Sequence, residues 1–304
     1  MSTMDTGGPI VTLDSETSQR LLQESMGRPH VGRVYDYYLG GSANWAVDRE
    51  FAREQIARYP DLPWLALQNR QCLARMVEYC VQQGIRQFVD IGSGIPTQGN
   101  VHQVAERLAP GECRVAYIDS DPVSVAHSHL LLEKSGRLDR HIAINGDLLD
   151  AERVWAAVVD SGCIDPGRPV ALLMMAVLHF VPDEGPHGTL DEALASYRGQ
   201  LAPGSCVALS HGTFDSMGEQ QRAALKNVAD DYDGKTTTRA FTRTRKQIEA
   251  FFGGWPLVEP GLVWTSEWVP SGLDLESVAG FGGDLEPSRS RFLTGMARKP
   301  ATTA

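Results

Sequence analysis

Asp90, Asp119 and Asp147 each stand at or near the end of a short apolar run. The first run, Phe88 to Ile91, is apolar apart from Asp90 and reads as a buried parallel strand. It breaks into Gly92 and Gly94, and an apolar-periodic helix follows from Val101 to Leu108. Strand, glycine turn and helix open a nucleotide-binding βαβ unit, in which glycines let the backbone approach a ligand. A dinucleotide fingerprint needs a third glycine three residues past the second, and Thr97 stands there instead. A carboxylate two residues before Gly92 would repel a pyrophosphate. It suits a cationic ligand, such as one bearing an ammonium and a sulfonium; an ordinary strand end is the other reading.

The second run, Arg114 to Ile118, closes on Asp119-Ser120-Asp121-Pro122. Asp119 follows Gly92 by 27 residues, near the spacing at which an acid meets ribose hydroxyls. Pro122 suits a helix first turn, which makes Asp121 the N-cap of a following helix. The third run, Ile142 to Ile144, ends in Asn145-Gly146-Asp147-Leu148. Ligands of open α/β sheets bind outside such strand ends.

The stretches V-D-I-G-S-G, Y-I-D-S-D-P and N-G-D-L resemble the first three motifs of class I S-adenosylmethionine (SAM) methyltransferases. The fuller match is to the bacterial S-adenosyl methyltransferase family, through R-V-Y-D-Y-Y-L-G-G-S-A-N-W at 33–45, G-I-P-T-Q-G-N-V-H at 94–102, A-V-L-H-F-V-P-D at 176–183 and L-V-E-P-G-L-V at 257–263. The resemblance spans residues 28–299. It departs at Ser42-Ala43, where the family has a basic-acidic pair. It implies a Rossmann-like α/β fold with helices on both faces of a seven-stranded, mostly parallel sheet. The last strand would be antiparallel, between the fifth and sixth. A helical cap (28–84) would precede the SAM-binding domain (85–299), with an irregular N-terminus (1–27) and a short tail (300–304). Cofactor contacts are implied at Asp90, Gly92, Ser93, Gly94, Asp119, Ser120, Asp147 and Leu148.

The elements that must hold these residues follow the chain. Disorder is expected at least through Thr12, and a short helix is open near Leu21-Leu22. Helices are expected over 30–39, over 45–59 behind an Asn44 cap, and over 64–83, with Leu73, Met76, Val77 and Cys80 buried. Aromatic faces attract a sulfonium. Tyr35 and Tyr38 are assigned to the helical core, and Tyr37, on the opposite face, to the site. A helix is expected over 148–159. Pro169 to Val177, the most apolar run, reads as a central strand that delivers His179. Cys206 to Ser210 reads as another, delivering His211. His179 and His211 are the candidate general bases. A helix over 219–230 turns Leu225 and Val228 inward. Thr244 and Gln247 have capping-box spacing. Residues 257–269 read as a strand interrupted at Pro260-Gly261, 270–289 as a loop and 291–298 as the last strand. Five cations and no acid occupy 235–246, read as a solvated face, with anion binding as the other reading.

The 304 residues, 42% hydrophobic, can bury a sizeable core. A net charge of −10 argues against phosphate-backbone affinity, so no nucleic-acid partner is expected. The five cysteines form no C-x-x-C pair, which points to reduced thiols, no metal and a cytoplasmic setting. No run reaches the roughly 18 apolar residues of a membrane span. The resemblance therefore implies methyl transfer from SAM to a small-molecule acceptor. A SAM-binding regulatory protein without turnover and a nicotinamide-dependent oxidoreductase are the alternatives.

Overall fold

The computed structural model describes residues 12–95, 99–215, 217–236, 239–273 and 289–301. Four helices come first: α1 (Ser15–Glu24), α2 (Val31–Tyr38), α3 (Ala46–Arg58) and α4 (Leu62–Gln82). α1 covers more than the short helix expected near Leu21, because the Asp14 side chain caps it at Thr17 N. The expectation of disorder through Thr12 lies outside the described residues except at Thr12 itself. Asn44 does not cap α3; Trp45 holds that place. The Asn44 amide turns instead to buried Asp36, donating at 2.7 Å, and to Gly41 O at 2.8 Å. A buried carboxylate needs donors more than an exposed helix end does.

Strands β1 (Gln87–Ile91), β2 (Arg114–Asp119), β3 (His141–Asn145) and β4 (Val170–Met175) alternate with α5 (Val101–Leu108), α6 (Pro122–Lys134) and α7 (Ala151–Asp160). A small hairpin follows, β5 (Glu184–Gly185) and β6 (Gly188–Thr189), then α8 (Leu190–Gln200) and β7 (Cys206–Gly212). α9 (Glu219–Lys235), α10 (Arg245–Ala250), β8 (Val263–Trp264) and β9 (Phe292–Arg298) complete the chain. The main sheet has seven strands in the order β3-β2-β1-β4-β7-β9-β8. The first five pair in parallel, and β9 runs antiparallel between β7 and β8. This is the Rossmann-like, mostly parallel sheet implied above, with the last strand inserted as expected.

Both faces are covered. Along β4, Val170, Leu172 and Met174 join the core under α7, α8 and α10, while Ala171, Leu173 and Met175 join the core under α4 and α5. The expected cap over 28–84 thus divides by packing. α4 buries Cys72, Leu73, Met76, Val77 and Cys80 against the sheet, and α1 to α3 lie outside that layer.

Several boundaries differ from expectation, among them the end of α9, which runs to Lys235. α7 starts at Ala151 rather than Leu148, because Asp147 Oδ1 turns back to Leu149 N at 3.0 Å and Leu148 is buried in the core. The strand expected over 257–269 shrinks to Val263–Trp264 plus a single bridge from Leu257 to Ala297. Pro260 lacks a donor and Gly261 sits at φ 88°, so no ladder passes between them. His211 lies within β7, not beyond it. Most of the expected 270–289 loop is outside the described residues.

Candidate functional site

β1 and β4 are neighbours whose connections leave to opposite sides, which opens a crevice at their carboxyl ends. A cavity of about 560 Å³ occupies it. Its floor is Asp90, the Gly92–Ile95 turn and the Asp119–Pro122 turn, and its roof comes from α2 and α4.

The two glycines do different work. Gly92 sits at φ 68°, and a Cβ there would collide with the Val177 side chain. Gly94 sits at φ 58°, and a Cβ there would meet only open space. The turn's amides are already engaged. Gly92 N and Ser93 N donate to Ile118 O at 2.8 and 3.1 Å. Gly94 N donates to Asp119 Oδ2 at 2.8 Å. None of the three is left for a pyrophosphate, which also counts against the nicotinamide reading.

Asp90 is buried, and its side chain has no hydrogen-bond partner among the described residues. Burial raises its carboxyl to about 7, and the charge of Asp119 adds to this against the pull of Arg70. Burial also raises Asp119 to about 6, despite amides from Asp121 and Gly94. A cation bound beside Asp90 would favour its charged form and offset that burial. Asp121 caps α6 through Val123 N at 2.8 Å, as expected, and accepts from His30 Nε2 at 2.8 Å.

Opposite Asp90 lies Arg70 of α4, buried, with its Nε unpartnered. Beside it runs a continuous hydrogen-bond chain. Ala176, at φ 55° just past β4, donates through N to Ser210 Oγ at 2.8 Å. Ser210 Oγ donates to Asn69 Oδ1 at 2.6 Å. Asn69 Nδ2 donates to Tyr35 OH at 3.0 Å, which donates to Ala66 O at 3.1 Å. The chain fixes the Tyr35 ring at the cavity wall.

The chain as a whole is similar to known proteins. The model of the S-adenosyl methyltransferase family matches residues 15–300. The chain belongs to that family. A crystal structure of a DUF574 family protein from Streptomyces avermitilis is 32% identical, with a TM-score of 0.75, covering 90% of this chain and 99% of that one. A provisionally assigned methyltransferase from Thermobifida fusca is also 32% identical, with a TM-score of 0.74 and coverage of 91% and 97%. No curated protein matches the chain. The cofactor of this S-adenosyl methyltransferase is SAM, and the cavity suits it: an unpartnered buried carboxylate, an unpartnered guanidinium Nε and open space at Gly94.

The structure brings Asp90, Gly92, Ser93, Gly94, Asp119 and Ser120 to this cavity. It does not bring Asp147 or Leu148. Asp147 is used on its own turn, and Leu148 is buried, its carbonyl accepting from Tyr197 OH at 3.1 Å. Tyr37 lines neither this cavity nor the one beside it; its ring lies 5.9 Å from the Arg53 guanidinium. Tyr35 and Tyr38, assigned to packing, do line a cavity. α2 turns toward the sheet the face opposite to the one expected for function.

His211 is buried and lines neither cavity. Arg243 Nη1 donates to its Nε2 at 3.1 Å, so its proton sits on Nδ1, which donates to Gly212 O at 2.6 Å. Burial lowers His211 to about 4. It is a latch, not an available base. His179 lines the second cavity, and its Nδ1 accepts from Gly212 N at 3.4 Å. Burial, His211 and Arg243 hold it well below the usual imidazole range.

The cationic run over 235–246 is no single surface. Lys235 pairs with Glu54, Arg239 lines the cofactor cavity, and Arg243 is buried on Asp183. All five cysteines are buried and free. Among the described residues no cluster could hold a metal, and no helix is long and apolar enough to cross a membrane.

The sequence reading missed Arg70, Asn69 and Ser210. A signal was present: Gln68-Asn69-Arg70-Gln71 is a run of four polar residues between the apolar positions of α4, and all four are buried. Buried polar residues are paired or functional.

Proposed function

We propose that this S-adenosyl methyltransferase moves a methyl group from SAM to a small-molecule acceptor seated beside the cofactor. One observation carries the reading. The cofactor cavity and a second cavity share Val31, Tyr35, Ala176 and Phe180 as lining. An acceptor in the second would face the first across that boundary.

When bound, SAM supplies a methyl group activated by its sulfonium. The chain's own residues bind, orient and exclude water. Asp90 suits the ammonium of the methionine part and Arg70 its carboxylate. Asp119 suits the ribose hydroxyls. The ring of Tyr35, fixed by Asn69, closes the wall. The Gly212 N–H donated to His179 Nδ1 leaves the ring proton on Nε2, so the imidazole offers a donor rather than a base. Rate enhancement then comes from alignment of acceptor and methyl and from exclusion of water.

Two measurements test this. Arg70→Met should weaken S-adenosylhomocysteine binding by roughly 10- to 150-fold, as loss of a charged hydrogen bond does. Methylthioadenosine, which lacks the amino-acid part, should bind the variant and the parent alike. Incubation with SAM and a bacterial extract should yield S-adenosylhomocysteine from the dialysable fraction. Turnover with only the macromolecular fraction would exclude a small acceptor. Cofactor binding with no turnover by either fraction would favour the regulatory alternative.

A further inference from the structure

The second cavity has a volume of about 170 Å³ and lies between α2, α4, α9 and β9. Leu65, Phe214, Leu225, Val228 and Phe292 are among the apolar residues of its wall. A cavity of roughly 150 Å³ lined by such residues stays dry and accommodates a benzene ring. Among its described lining residues there is no carboxylate and no lysine. Its one arginine, Arg291, is engaged by Ser290 O at 2.7 Å and Gln221 Oε1 at 3.2 Å. At the far wall the hydroxyls of Tyr38 and Tyr232 bond one another at 3.0 Å. Their burial keeps both phenols neutral. The polar atoms of this wall thus satisfy each other. His179 Nε2 has no hydrogen-bond partner among the described residues.

We infer that this cavity holds a neutral, single-ring apolar acceptor carrying one heteroatom, which His179 orients. The inference rests on the proposed function and names its substrate class. A cationic acceptor would lose its hydration here with no carboxylate to pair with, and the one guanidinium, Arg291, is already held by Ser290 O and Gln221 Oε1. Its volume is close to that of a cavity that accommodates one benzene ring.

The test uses the full chain saturated with S-adenosylhomocysteine, with phenol, benzoate and 2-naphthol as probes, followed by saturation-transfer NMR and calorimetry. Phenol should bind saturably, and benzoate and 2-naphthol about tenfold more weakly or worse. Ala229→Phe and, separately, Leu225→Trp project bulk into the space. Each should weaken phenol about tenfold or more while S-adenosylhomocysteine affinity stays within about twofold. The retained cofactor affinity reports that each variant is folded. Absence of saturable phenol binding would overturn the inference. So would benzoate or 2-naphthol binding as tightly as phenol, or phenol binding unchanged in both variants. Failure of the parent protein to bind S-adenosylhomocysteine would instead overturn the proposed function, and this inference with it.

Discussion

Gly92 and Gly94 stand two residues apart in one turn, yet their substitutions should fail differently. Both have positive φ, where a Cβ costs about 1–2 kcal/mol. At Gly92 the Val177 side chain adds overpacking of about 1–3 kcal/mol. Gly92→Ala should therefore destabilise the protein by roughly 2–5 kcal/mol in urea melts, and Val177→Ala should recover only part of the overpacking, because the Cβ of residue 177 also meets the added methyl. Gly94→Ala should lose only the smaller strain but weaken S-adenosylhomocysteine, since its Cβ enters the cavity. Asp119 and Asp121 separate in a similar way. Asp119→Ala should weaken S-adenosylhomocysteine about 10- to 150-fold by calorimetry, since it removes a charged acceptor that also holds Gly94 N. Asp121→Ala should lower stability by about 1 kcal/mol through the α6 cap, with affinity little changed. The reverse ranking would move the ribose site to Asp121.

Between elements, the strongest tie near the site is Arg243. Its guanidinium reaches Leu178 O at 2.7 Å, Val181 O at 2.8 Å and Asp183 Oδ1 at 2.6 Å, besides His211. It clamps the turn after β4 to β7. That turn carries His179 and Phe180, so the clamp sets the wall between the two cavities. A lysine ammonium cannot make the forked contacts. Arg243→Lys should cost roughly 2–5 kcal/mol in denaturant melts, because buried carbonyls lose their donor. A cost near zero would show that solvent replaces the clamp. By contrast, Lys235 with Glu54 is an exposed pair, and its loss should change stability little.

For the whole molecule, five histidines are held below their ordinary range by burial. His102, His127, His141 and His211 fall to about 4, and His179 is also held well below its ordinary value. In His141 neither ring nitrogen has a partner among the described residues. The unfolded chain therefore binds more protons than the native state between about pH 4 and 6.5. Stability from these groups is present above 6.5 and lost as pH falls through that window. Asp90 and Asp119, raised to about 7 and 6, act in the opposite sense across the same range. Five groups outweigh two, so Tm by calorimetry should climb from pH 4.5 to 6.5. Asp90→Asn should steepen the climb by removing one opposing group. A flat or falling Tm would mean that the histidines protonate as freely folded as unfolded.

The strand ends were readable in the sequence because their logic is local. A period-two apolar run, a glycine turn and a terminal acid lie within a dozen residues, so Asp90, Gly94 and Asp119 could be placed together before any fold was known. The capping acid at Asp121 and the capping box at Thr244 were legible for the same reason: each is a bond across two or three residues. Periodicity also found α2, but a period names a face and not what that face meets. Tyr35 rather than Tyr37 lines the cavities because α4 packs on that side, and no spacing within 30–39 encodes it. The Ser210–Asn69 bond spans 141 positions and the His211–Arg243 bond 32. The sequence by itself determined the alternating strands and helices, the acids at their ends and the family. Only tertiary packing decided that Arg70 faces Asp90, that His211 is locked away, and that an apolar chamber adjoins the strand-end cavity. Those contacts are made between elements far apart in the chain, where burial selects the partner and local pattern carries no record of it.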